Sequence, residues 1–122
     1  MLIMLRNRVR QMLIMLRNRV RQYNSEHLHL LAVKKNGNAI TLIEKPSEAV
    51  KIAAVKKEGF AIKHIDNPSE AVQLAAVQQN SYVIQLIKNP SEAVQIAAVQ
   101  QYSLAIQYIK NPSEDVLLAA VK

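Results

Sequence analysis

The sequence predicts an all-α fold, an α-solenoid of 22-residue two-helix repeats that follows an N-terminal basic amphipathic helix. The first observation behind this prediction is self-similarity, because blocks of 22 residues align along the chain without a gap. The second is a helix-start motif, Asn-Pro-Ser-Glu, that recurs at the same place in successive blocks. The third is composition, since half of the residues are apolar and only two are glycine. In a solenoid, each unit buries its apolar face only against its neighbours.

The N-terminal segment, residues 1–22, is an eleven-residue sequence that is repeated letter for letter. Eleven residues correspond to three helical turns, so both copies present the same face of one continuous helix. The predicted apolar stripe consists of Leu5, Val9, Met12, Leu16 and Val20. The arginines spread over the rest of the helix are Arg6, Arg8, Arg10, Arg17, Arg19 and Arg21.

This segment has three interpretations: a cap over the first repeat, a self-association helix, or an Arg-rich surface for nucleic acid or anionic lipid. The last of these rests on the charge distribution, because residues 1–22 contain six arginines and no acid. Residues 23–122 contain ten lysines and nine acids and are nearly neutral. The net charge of +7 therefore belongs mainly to the N-terminal segment.

The repeat array covers residues 23–122. Its predicted units are residues 23–44, 45–66, 67–88 and 89–110, with a half repeat at 111–122. In the unit 67–88, Asn67 is expected to cap a first helix over residues 68–79, with Pro68 at its first position and Glu70 in a capping box. Lys45 replaces that asparagine in the preceding unit and predicts a helix start weaker by about 1 kcal/mol unless Ser47 substitutes.

A second helix of about two turns is predicted over residues 82–88, after a polar break at Asn80 and Ser81. A β-strand over residues 82–87 is the alternative, because tyrosine, valine and isoleucine also favour sheets. The pair Ala75 and Ala76 recurs as Ala53–Ala54, Ala97–Ala98 and Ala119–Ala120, and its small side chains predict close approach between the first helices of neighbouring repeats. Replacing Ala76 by leucine is then expected to overpack the stack at a cost of about 1 to 3 kcal/mol.

The motif strings N-P-S-E-A-V-x-x-A-A-V and x-A-I-x-x-I resemble an uncharacterised family of short helical tandem repeats found in bacterial, phage and giant-virus proteins. The resemblance covers residues 24–122, although repeats of that family are usually a few residues longer. The chain is also similar in outline to leucine-rich-variant solenoids, which pair one full helix with a shorter one. Both resemblances imply an architecture of stacked helix pairs, and neither implies an activity.

The sequence has no pattern typical of catalysis or of a bound cofactor or metal. The chain has no cysteine, and His27, His29 and His64 do not have the spacing of metal ligands. Four of the nine acids belong to the helix-start motifs, and we expect no carboxylate pair for general acid and base chemistry. There is neither a Gly-rich phosphate loop nor a nucleophile motif. We therefore expect a protein that is not an enzyme and needs no cofactor.

Function is expected to come from surfaces, and solenoids vary most at the positions that bind. The varying positions that predict an interaction surface are Phe60, Tyr82, Leu104, His64 and Tyr108. The predicted basic surface adds Lys34, Lys35, Lys56 and Lys57 to the six arginines. The aromatic positions equally fit packing in a satellite core, and the lysines equally fit a solvated face.

The leading functional prediction is a non-catalytic protein-interaction scaffold that self-associates through open solenoid ends, because residues 119–122 close a first helix that no second helix covers. The partner would be a protein, chiefly the chain itself, as a homo-oligomer or filament. The alternatives are nucleic-acid binding through the N-terminal helix and a small phage-type inhibitor that occludes a host protein. No apolar run reaches the roughly 18 residues of a transmembrane segment, and no secretory signal is evident, so a cytoplasmic protein is expected.

Overall fold

The computed structural model describes residues 2–122, except for the side chains of residues 20–24. Throughout this part of the chain, α-helices alternate with short 3₁₀ helices and there is no β-strand. The α-helices are α1 (Leu2–Lys35), α2 (Glu48–Lys57), α3 (Glu70–Gln79), α4 (Glu92–Gln101) and α5 (Glu114–Val121). The 3₁₀ helices are η1 (Gly37–Leu42), η2 (Gly59–His64), η3 (Ser81–Leu86) and η4 (Ser103–Tyr108). The all-α prediction is confirmed, and the strand alternative for residues 82–87 is wrong.

Packing within the described part of the chain joins only elements that are neighbours along the sequence. Each α-helix contacts the α-helix before it and the one after it, and the 3₁₀ helices contact one another in the same consecutive order. Every 3₁₀ helix also packs against the two α-helices that flank it. The protein thus has a row of α-helices on one side and a row of 3₁₀ helices on the other, with the core between them.

The core consists mainly of valine and alanine side chains that recur once in each unit. Val50, Val72, Val94 and Val116 are fully buried near the start of their α-helices. Val33, Val55, Val77 and Val99 are fully buried near the end of theirs. Small β-branched side chains at these sites let neighbouring helices approach closely and leave little rotamer freedom to lose.

The starts of α2 to α5 are capped by serine rather than asparagine. The Ser69 Oγ accepts a hydrogen bond from the Val72 backbone N–H at 3.2 Å, and Ser47, Ser91 and Ser113 cap their helices in the same way. The prediction that Asn67 caps the helix with Pro68 at its first position is wrong. Asn67 instead has a left-handed backbone with φ 47°, a conformation that asparagine tolerates better than most residues. Because Ser47 caps α2, the condition under which Lys45 was expected to weaken that helix start is not met.

The glutamates of the helix-start motif bond to the next unit rather than to their own helix. Ser91 Oγ donates to Glu70 Oε1 at 2.7 Å, and Ser113 Oγ donates to Glu92 Oε1 at 3.1 Å. Glu48 accepts in the same way from Ser69, and Glu26 accepts from Ser47 at 2.8 Å. The predicted capping box at Glu70 is therefore wrong, and a row of serine–glutamate hydrogen bonds instead links the starts of α2 to α5 to one another and to Glu26 within α1.

The second element of each unit lies at the predicted place but is a 3₁₀ helix. In η3 the Asn80 Oδ1 accepts from the Tyr82 backbone N–H at 3.0 Å, and the Ile87 N–H closes the element on the Ile84 carbonyl. Residues three apart lie over one another in a 3₁₀ helix. This places Ser81, Ile84 and Ile87 on the buried side, where all three are covered. The prediction of about two α-helical turns is wrong in helix type.

The N-terminal α-helix is longer than the predicted segment of residues 1–22. It runs without interruption to Lys35, so α1 also provides the first helix of the unit 23–44. Residues 2–19 are exposed along their whole length. For residues 2–19 this exposure argues against a cap over the first repeat within one chain, whereas Met1 and the side chains of residues 20–22 lie outside the described residues.

Candidate interaction surfaces

Three tyrosines gather on the edge formed by η3 and η4. The ring centroid of Tyr82 lies 5.4 Å from that of Tyr102 and 5.8 Å from that of Tyr108, in tilted and edge-on arrangements. Such geometries are favourable for aromatic pairs. A hydrogen bond with the Tyr102 side chain, together with desolvation, raises the pKa of Tyr82 above its usual value. We call these three side chains the tyrosine cluster.

The structure places all five residues of the predicted interaction surface on the 3₁₀ helices. Tyr82 and Tyr108 come together in the tyrosine cluster, with Tyr82 exposed and Tyr108 half-buried. Phe60, His64 and Leu104 are exposed on η2 and η4. The exposure of four of these five residues favours a surface role over packing in a satellite core.

Tyr102 belongs to the cluster but was not predicted. Its equivalents in the earlier units are Asn36, Glu58 and Asn80, which precede the 3₁₀ helices as polar cap positions. A tyrosine at this position forms no side-chain capping hydrogen bond. The replacement of a cap residue by an aromatic one was the signal in the sequence that distinguishes this unit.

The predicted basic surface is divided between the two ends of α1. Arg6, Arg8, Arg10, Arg17 and Arg19 are exposed in its N-terminal half, whereas the side chain of Arg21 lies outside the described residues. Lys34 and Lys35 are exposed at its C-terminal end. With a rise of about 1.5 Å per residue, Arg19 and Lys34 lie about 22 Å apart along the helix. The arginines and lysines therefore form two separate basic regions.

The lysine region borders a shallow groove between α1 and α2 with a volume of about 520 Å³. Lys34, Lys56 and Lys57 surround an apolar floor that contains Ile52 and Ala53. At the positions of Lys56 and Lys57, α3 has Gln78 and Gln79, so the basic rim is confined to the first part of the array. Lys35 is exposed nearby, also at the end of α1.

The first and last α-helices expose apolar side chains at positions that are buried in the other units. Leu28 on α1 is 62% exposed, although its equivalents Val50, Val72, Val94 and Val116 are fully buried. Val121 on α5 is 81% exposed, although its equivalents Val33, Val55, Val77 and Val99 are fully buried. We call the exposed faces of α1 residues 28–31 and of α5 the end faces.

No group of three histidine, aspartate or glutamate side chains in the described part of the chain is placed to hold a metal ion. None of the described helices combines the length and apolar character needed to cross a bilayer.

Comparison with protein-family models, with curated proteins and with solved structures finds no match to the chain. The resemblance of the Asn-Pro-Ser-Glu units to a tandem-repeat family therefore stays a prediction.

Proposed function

We propose that the chain is an α-solenoid of 22-residue repeats that acts as a non-catalytic protein-interaction scaffold and self-associates end to end. Two sets of equivalent positions in the α-helices carry this proposal. One set is exposed only in the first α-helix, and the other is exposed only in the last. The partner is a second copy of the chain, and repeated addition gives an oligomer or an open filament.

The two valine positions depend on different neighbours. Val116 is buried in α5, which packs against a preceding α-helix only. The equivalent Leu28 is exposed in α1, which packs against a following α-helix only. The position of Val33 is buried in α1, and the equivalent Val121 is exposed in α5. Each end face thus lacks the neighbour that the other end would supply.

Stacking of α5 of one copy against α1 of another recreates a contact that the chain forms four times between its own α-helices. Leu117 and Leu118 are 48% and 47% exposed on α5, and Leu31 is 47% exposed on α1. Burial of several such side chains contributes roughly 1.5 to 3 kcal/mol for each large apolar residue that is fully covered. The interface is heterologous, because the two faces that meet are different.

Light scattering coupled to size-exclusion chromatography tests this proposal with the full chain over a concentration series. We expect masses above the 13.7 kDa of one chain that rise with concentration. Val121→Glu and Leu28→Glu each remove one end face and are expected to give monomers. Leu86→Glu introduces the same charge at an exposed site on η3, away from both ends, and is expected to associate like the unmodified chain.

Mixing the two end-face variants distinguishes end-to-end stacking from other contacts. Val121→Glu keeps its α1 face and Leu28→Glu keeps its α5 face, so a mixture is expected to form one heterodimer of twice 13.7 kDa and nothing larger. A chain that stays monomeric at every concentration would refute self-association. Assembly that survives both substitutions would place the contact elsewhere.

A further inference from the structure

The exposed N-terminal half of α1 has apolar side chains that nothing in the described chain covers. Ten large apolar residues between positions 2 and 16 are exposed by 42% to 78% of their surface. Most helices in proteins are stabilised by packing of an apolar face rather than by intrinsic propensity. An uncovered helix of this length therefore suits a partner that buries the apolar face.

Six of these ten apolar side chains share one face of the helix, and this face lies between two rows of arginines. With about 100° of rotation per residue, Met12, Leu5, Leu16, Val9, Leu2 and Leu13 fall in one arc of about 100°. Arg8 and Arg19 border this arc on one side, and Arg6, Arg10 and Arg17 border it on the other. Asn7, Gln11 and Asn18 lie opposite its centre, and Ile3, Met4, Ile14 and Met15 lie between them and the arginines. The apolar arc is thus flanked by arginines on both edges.

The charges on this helix identify the class of partner. Residues 2–19 contain five arginines and no acid, so a second copy of the helix would bring arginine against arginine along both edges. Nucleic acid would neutralise the arginines but leave the apolar arc in water. An anionic bilayer surface satisfies both features, because the arc enters the headgroup region while the guanidinium groups remain among the phosphates.

We propose that α1 is an interfacial anchor that lies flat on an anionic lipid bilayer through residues 2–19. This segment is about 27 Å long at 1.5 Å per residue. Residues 2–19 contain no acid and all five arginines are exposed, so they are available to anionic headgroups. The anchor is independent of end-to-end association, because the end faces lie on α5 and on residues 28–31.

Vesicle co-sedimentation of the full chain tests this proposal. The probes are vesicles of phosphatidylcholine alone and vesicles that contain 30% phosphatidylserine. We expect binding to the anionic vesicles only, and a decrease in binding as salt is raised. Arg6→Gln with Arg10→Gln and Arg17→Gln is expected to lower the partition coefficient about 100-fold, given roughly 1 kcal/mol for each basic residue at the surface.

Two further variants separate the contributions of charge and of the apolar arc. Lys63→Gln with Lys88→Gln and Lys110→Gln removes the same charge from exposed sites in the repeat body and is expected to change the partition coefficient by less than about three-fold. Leu5→Glu with Leu16→Glu is expected to abolish binding while every arginine remains. Circular dichroism checks that each variant keeps its helical content.

Three results would overturn the proposal. The first is equal loss of binding in the two triple-glutamine variants, because binding would then follow net charge alone. The second is binding to anionic vesicles that persists after Leu5→Glu and Leu16→Glu. The third is salt-dependent binding to single-stranded RNA without binding to either vesicle, which would assign the arginines to nucleic acid.

Discussion

Ser91 and Glu70 lie 21 residues apart and are joined by a hydrogen bond of 2.7 Å, in which the Ser91 hydroxyl donates to Glu70 Oε1. The same hydroxyl accepts from the Val94 backbone N–H at 3.3 Å and so caps α4. One side chain thus begins a helix and fastens it to the helix before. Because this arrangement recurs along the array, each unit positions the start of the next.

The glutamate in this pair allows a matched test of the link between units. Glu70 and Glu114 both open their α-helices, but Glu114 has no cap serine beyond it in the described chain. Replacing either glutamate by alanine removes a favourable charge at a helix N-terminus, which costs about 0.5 kcal/mol. Glu70→Ala also breaks the bond to Ser91 and is expected to lower the free energy of unfolding by about 1 kcal/mol more. If urea denaturation gives the same loss in the free energy of unfolding for both variants, the link between units is refuted.

The left-handed asparagines give a second prediction. Asn89 has φ 50°, where alanine is disfavoured by about 1 to 2 kcal/mol and glycine is not. We expect Asn89→Ala to lower the free energy of unfolding by about 1 kcal/mol and Asn89→Gly to change it by only a few tenths. Lys45 occupies the equivalent position without a positive φ, so Lys45→Ala is the control and is expected to have little effect. The idea fails if both alanine variants unfold at the same denaturant concentration.

These two sites show which parts of the helix starts were predictable from the sequence. The Asn-Pro-Ser-Glu motif located the start of α3 to within two residues, because proline and the cap formers rarely occur inside helices. The motif contains two residues that can cap, however, and the sequence could not tell which of Asn67 and Ser69 does so. That choice depends on the turn from η2, where Asn67 adopts the left-handed conformation and Ser69 reaches both Val72 and Glu48.

The 3₁₀ helices and the interaction surfaces show a different limit. Apolar residues three apart, such as Ile84 and Ile87, fit one turn of either an α-helix or a 3₁₀ helix, and only the closing hydrogen bond from Ile87 to Ile84 decides between them. The exposed faces of Leu28 and Val121 could be predicted by aligning the units, since their equivalents are core positions. The exposure of residues 2–19 could not be predicted, because an apolar stripe indicates that a helix face is covered but not which part of the protein or which partner covers it.

Ser81 occupies the position that is glycine in the two preceding units and gives a third prediction. Its hydroxyl is buried and has no hydrogen-bond partner in the described chain. Ser81→Ala removes this hydroxyl and is expected to raise the free energy of unfolding by about 1 kcal/mol. At Gly59, by contrast, an added Cβ would lie 2.8 Å from the Ala76 carbonyl oxygen. Gly59→Ala is therefore expected to destabilise the protein by about 1 to 3 kcal/mol. Changes in melting temperature of the same sign in both variants would contradict this contrast.

The repeated alanine pair gives a fourth prediction. Ala76 is fully buried, and its carbonyl closely approaches the backbone of Gly59 on η2. Because Ala76 is fully buried, a leucine there has to displace the side chains around it, so Ala76→Leu is expected to cost about 1 to 3 kcal/mol. Ala49 is exposed on α2, and Ala49→Leu is the control that adds the same volume in solvent. If the unfolding midpoint falls equally in both variants, the added volume in the core does not cause the loss of stability in Ala76→Leu.

The tyrosine cluster gives a prediction about stability at alkaline pH. The hydrogen bond with Tyr102 raises the pKa of Tyr82 in the folded chain, so on raising the pH the unfolded chain loses this proton first. The resulting stabilisation is present in full below a pH of about 10, the usual tyrosine value, and is lost as the pH rises through the folded pKa. The free energy of unfolding is therefore expected to fall across that range.

Tyr102→Phe tests the cause of this shift. It removes the hydrogen-bond partner, which is the largest contribution, and the pKa of Tyr82 is expected to return towards its usual value of about 10. Tyr108→Phe removes the smallest contribution and is expected to lower the pKa of Tyr82 much less. Ring carbon NMR with labelled tyrosine follows Tyr82 separately from the other tyrosines. If Tyr102→Phe leaves the Tyr82 titration unchanged, the Tyr102 hydroxyl does not cause the raised pKa, and the alkaline loss of stability must come from other groups.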